Sequence, residues 1–135
     1  MKTKTKISLK NNPKKVTTIS YIALICASAL LAICKWYGDI SGNIILPEIL
    51  NSHITNFSIS LILCLIIGYI GLLYGTRFRN IILLGLIIII ANFLCETLMA
   101  FMNTVDILDA VSGAIGVAFA IIYLFIAKKY GFIEL

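Results

Sequence analysis

The chain has 135 residues, 61% of them hydrophobic, and a mean hydropathy of +1.05, far above the range of water-soluble domains. That composition excludes a soluble globular core and predicts an all-α integral membrane bundle of four transmembrane helices. The net charge of +5 sits between and beside apolar runs and not on one face, which excludes a nucleic-acid-binding surface.

The first fifteen residues carry six lysines, Lys2, Lys4, Lys6, Lys10, Lys14 and Lys15, and are expected to be a solvated basic tail that can touch anionic lipid. The first apolar run, residues 16–34, is long enough to span a bilayer. A lysine-rich approach followed by an apolar run also describes a signal peptide. However, the run exceeds a typical signal core, and Leu31-Ala32-Ile33-Cys34 is a poor lipoprotein box, so a retained helix is expected. Residues 35–56 form the longest link. Trp36 and Tyr37 fall where an interfacial aromatic belt would lie. Asn43 to Leu50 is too apolar for a free loop, and Pro47 suits a first helical turn. A short interfacial helix is therefore expected there, or else a re-entrant piece tucked into the bundle.

The second run, residues 57–74, has no charge and stops before Arg77 and Arg79. The third, residues 81–101, is broken by Asn92 and Glu96. The fourth, residues 107–127, ends before Lys128 and Lys129. If the N-terminus is inside, ten of the eleven basic residues are cytoplasmic and only Lys35 is outside. The bias of cationic segments toward the cytoplasm then predicts cytoplasmic termini in a bacterial cytoplasmic membrane.

Against this background the carboxylates are the informative residues, because charge at membrane depth costs several kcal/mol and usually faces a bundle interior or a wet cavity. Glu96 and Asn92 are one turn apart on one helical face. Asp106 has an ordinary explanation as the N-cap of the fourth helix, where capping is worth about 1 kcal/mol. Asp109 lies a turn inside, on the stripe of Gly113, Gly116 and Ala120 that permits close helix approach. A hairpin of the third and fourth helices would bring Glu96 and Asp109 into one outward-opening pocket. The candidate ligand-binding residues are thus Glu96, Asp109, Asp106 and Asn92, with Gly113, Gly116 and Ala120 as packing residues.

No metal or other cofactor is expected. The four cysteines, Cys26, Cys34, Cys64 and Cys95, show no paired spacing, and the only histidine, His53, precedes the second span;. Buried thiols are expected to behave as small hydrophobes. No catalytic residue is assigned either, since Ser112 has no evident base, and enzyme chemistry needs a nucleophile with a base in reach.

The stretch from Glu96 to Ala120 resembles the VanZ-like family of small bacterial membrane proteins, named for a teicoplanin-resistance protein. In that family a glutamate in one span precedes a D-x-x-D-type opening of the next, followed by Asn and Gly at helical spacing. Glu96, Asp106, Asp109 and Gly116 occupy the corresponding places. Gly113 stands where the family usually has Asn, and Ala120 where it has a second Gly. His53-Ile54-Thr55-Asn56-Phe57 resembles the polar opening before the family's His-Phe pair, with Asn56 replacing the histidine. Met99 replaces a usual glutamine, and Met102-Asn103-Thr104-Val105 lacks the family's arginine. The likeness covers about the last eighty residues.

The resemblance implies a cell-envelope protein that lowers susceptibility to glycopeptides or other surface-acting compounds. The expected partners are membrane lipids and a lipid-linked envelope precursor or amphiphilic drug, in a homo-oligomer or a larger membrane complex. The alternatives are a small proton-coupled transporter using Glu96, or an accessory subunit of an envelope complex.

Overall fold

The computed structural model describes residues 8–43, 46–99 and 106–135. In chain order these form strand β1 (Asn11–Pro13), helices α1 (Lys15–Ser41), α2 (Glu48–Leu73), α3 (Phe78–Met99) and α4 (Ile107–Ile126), a π turn over Ala127–Gly131, and strand β2 (Phe132–Glu134). Four helices are long and apolar enough to cross a membrane, so the chain is a multi-pass membrane protein with an all-α four-helix bundle.

The helices are apolar all round, as expected of segments facing lipid on one side and protein on the other. What distinguishes the inner face of α4 is its small residues, Ala110, Gly113, Gly116 and Ala120. Lipid is as apolar as leucine, so helices in a bilayer associate through close packing and interhelical hydrogen bonds. The α2–α4 pair carries the core: Leu61, Cys64, Leu65 and Leu72 on α2 meet Val117, Ala120 and Leu124 on α4, all at most 3% exposed. A Cβ on Gly116 would collide with the carbonyl oxygen of Phe57, and other α2 backbone atoms lie 3.2–3.3 Å away. Gly116 therefore lies against α2 and Gly113 against both α2 and α3, and α3 packs mainly on α4 with less of its surface buried.

The first and last described segments, residues 8–14 and 131–135, meet at one end of the bundle. β1 and β2 pair antiparallel, with Asn12 opposite Ile133. The amide of Lys10 donates to Leu73 O at 3.0 Å, and Asn11 Nδ2 donates to Leu72 O at 2.7 Å. This clasp lies beside the α2–α3 turn, where Gly75 takes φ +73° and Thr76 N reaches back to Gly71 O, a glycine-terminated helix end. Tyr21 stacks on Tyr69 at 4.0 Å, and Tyr123 joins Ser20 at 2.9 Å.

Three expectations need correction. Residues 8–15 are not a free arm, since Lys10–Lys14 are bonded into the clasp and α1 starts at Lys15. The first helix does not stop at Cys34 but continues to Ser41, about 40 Å for 27 residues;, so Trp36 and Tyr37 belong to it and not to a loop. Among the described residues no separate interfacial helix follows. Pro47 precedes a helix that runs unbroken from Glu48 through the second span, with Asn51 N donating to Pro47 O at 2.8 Å. The proline ring starts that helix, and nothing between Glu48 and Phe57 stops it. Ile44 and Ile45 lie outside the described residues, as do positions 100–105, which include the end of the expected third span.

Candidate functional site

At the end of the bundle opposite the clasp, the first turns of α2 and α4 lie side by side. Asp106 caps α4 as expected: its Oδ1 accepts from Leu108 N at 3.0 Å. One turn on, Asp109 Oδ1 lies 2.7 Å from His53 Nδ1, and Asp106 Oδ2 lies 4.0 Å from the same nitrogen. An ionised carboxylate only accepts, so Nδ1 carries the hydrogen of the short bond. Ser112, another turn along α4, donates to the carbonyls of Asp109 at 2.8 Å and His53 at 3.0 Å. Its hydroxyl thus staples α4 to the backbone of α2 and is not poised as a nucleophile on the imidazole.

One layer deeper, Asn92 Nδ2 donates to Ser60 Oγ at 2.9 Å, tying α3 to α2. Gly113 makes the room. A Cβ there would collide with Asn92 Nδ2 and lie 3.0 Å from Ser60 Oγ. The site is therefore two stacked polar layers: His53 with the two aspartates above joins α2 to α4, and Ser60 with Asn92 below joins α2 to α3. Beside the upper layer opens an apolar groove of about 520 Å³ between α1, α2 and α4, lined by Leu31, Leu50, His53, Phe57, Val111 and Ile115 among others.

The expected site residues separate accordingly. Asp106 and Asp109 are together, and Asn92 lies beneath them. Glu96 is half-buried one turn above Asn92 on α3. Among the described residues it joins neither Asp109 nor the His53 cluster, so the partner of Asp109 is an imidazole and not a second acid. Gly113, Gly116 and Ala120 are buried packing residues as expected. The expectation that no histidine supports the acids is corrected, because His53 lies against both. In the sequence His53 falls in the expected link of residues 35–56, beyond the expected short interfacial helix, and so outside any span. The available signal was spacing: His53 and Phe57 are four apart, and that places both on one face once the helix starts at Glu48.

No protein-family model, no curated protein and no solved structure matches this chain.

Proposed function

We propose that this chain is a VanZ-like protein of the bacterial cytoplasmic membrane, with both termini in the cytoplasm. In this reading it holds an amphiphile of the cell envelope at its outward face and lowers susceptibility to glycopeptides or related surface-acting compounds. The observation that carries the reading is the His53–Asp109 bond at the mouth of the groove. An apolar slot with a few convergent polar groups at one end is the usual form of a small-molecule site. It suits a molecule with an acyl chain and a polar head. The volume is within the range of such sites, about 300–1,000 Å³.

Two departures from the family pattern gain a physical counterpart. The amide expected at Gly113 has a substitute in Asn92, whose head group fills the space a side chain at Gly113 would take. The histidine expected at Asn56 has a substitute one turn earlier in His53, on the same side of α2. Both replacements support a VanZ-like reading of the polar layers without a family-typical residue at either position. The distribution of Lys and Arg supports the orientation, since Lys10, Lys14, Arg77, Lys128 and Lys129 all lie at the clasp end and cations favour the cytoplasmic side.

The test is the teicoplanin susceptibility of a strain lacking the protein, complemented in parallel with the wild type, Asp109→Asn, and Val111→Trp, which fills the groove. Wild type restores reduced susceptibility, and both variants fall to the level of the empty vector at equal membrane abundance. Wild-type behaviour of both variants refutes the reading.

A further inference from the structure

We infer that His53, Asp109 and Asp106 form a binding site for one divalent cation of the zinc class. One donor atom from each of these residues lies within 4.8 Å of the others. The donor set is mixed, one imidazole nitrogen and two carboxylate oxygens drawn from two helices, and it matches the ligands that zinc accepts. Hard cations such as Mg²⁺ prefer oxygen alone, and the imidazole shifts preference toward the later transition metals.

The distances suit an ion after small movements. Donors at about 2.0–2.2 Å from a tetrahedral zinc stand roughly 3.3–3.5 Å from one another. Here Nδ1 is 2.7 Å from Asp109 Oδ1 and 4.0 Å from Asp106 Oδ2. Opening the first pair and closing the second by about 0.6 Å each brings both to that separation, a movement that side-chain torsions supply. Binding displaces the proton Nδ1 gives to Asp109.

The surroundings orient the ligands. Asp106 spends Oδ1 on the cap of α4, which turns Oδ2 toward His53. Ser112 holds the backbone of His53 against α4. Such outer contacts hold metal ligands in place. The side chains of His53, Asp109 and Asp106 are 17%, 27% and 48% exposed, so the ion has an entry path. His53 is itself part of the groove wall, so the cluster adjoins the groove. A divalent cation would also neutralise the charge of the two carboxylates at the rim of the groove.

The experiment is a Zn²⁺ and Co²⁺ titration of the purified full chain in detergent micelles, by calorimetry and visible absorption, with helicity checked by circular dichroism. Expected are one Zn²⁺ per chain, Co²⁺ ligand-field bands with no sulfur-to-cobalt charge-transfer band, and at least tenfold weaker binding in His53→Gln and Asp109→Asn. Glu48→Gln, an exposed acid at the same end, leaves binding unchanged. Absence of stoichiometric binding by folded protein overturns the inference. Undiminished binding in both site variants or a sulfur charge-transfer band would also overturn it. Because no glycopeptide or envelope precursor is present in this titration, its result is independent of the susceptibility test.

Discussion

The bond between His53 and Asp109 is the most exposed point of this structural account, and a double-mutant cycle measures it. The perturbations are His53→Ala, Asp109→Ala and the two together, each taken through reversible unfolding in mixed micelles by added dodecyl sulfate and followed by circular dichroism. A hydrogen bond to a charged group is worth about 1.5–3 kcal/mol. The two side chains are 17% and 27% exposed, so solvent screening reduces that range to a coupling of about 1–2 kcal/mol. Asp106 provides an internal comparison. At 4.0 Å and 48% exposed, its coupling to His53 is expected to stay below about 0.5 kcal/mol and to fall further with salt. Losing its capping bond costs about 1 kcal/mol, but that cost appears in both legs of the cycle and cancels. A His53–Asp109 coupling within the ordinary scatter of additive sites, about 0.3–0.5 kcal/mol, would refute the reasoning.

Further outcomes follow from packing and topology. Gly116→Ala drives a methyl into the carbonyl of Phe57 and forces α2 and α4 apart, so the same unfolding assay should register a loss of about 1–3 kcal/mol, while Ala118→Leu on the exposed face stays within about 0.5 kcal/mol;. Asn92→Leu removes the bond to Ser60 and is expected to cost about 0.6–1.7 kcal/mol, the range found for hydrogen bonds between membrane helices. In a cysteine-free background, Gly42→Cys should react with an impermeant maleimide in intact cells and Leu135→Cys only after lysis; the reverse pattern would invert the topology. Deleting Phe132–Leu135 removes the partner of β1 and should speed protease cleavage near Asn11 in inside-out vesicles, with the four spans still inserted.

Much of the architecture was readable from local properties. Runs of apolar residues longer than a bilayer is thick have little alternative to spanning as helices, because an unpaired backbone in hydrocarbon is too costly. The capping role of Asp106 was equally legible, since a cap is satisfied within its own first turn;. The stripe of Gly113, Gly116 and Ala120 announced a close approach without saying of what. Hydropathy marks where a helix crosses lipid but not where it ends beyond it. That is why α1 reaches Ser41 and α2 begins at Glu48, and why a separate interfacial helix was expected in between.

What the sequence determined by itself is therefore what neighbouring residues decide together: four apolar spans, the side on which their basic flanks accumulate, and the capped start of the last helix. Which groups meet across helices was decided only by the tertiary structure. His53 and Asp109 are 56 residues apart, and no local spacing relates them. They meet because Gly116 lets α4 lie against the backbone of α2, which brings the first turns of the two helices level. The same packing leaves Glu96 on α3 beside Asn92, outside the cluster. In a bundle whose helices are apolar on every face, small residues set the register, and the register selects the partner of each polar group.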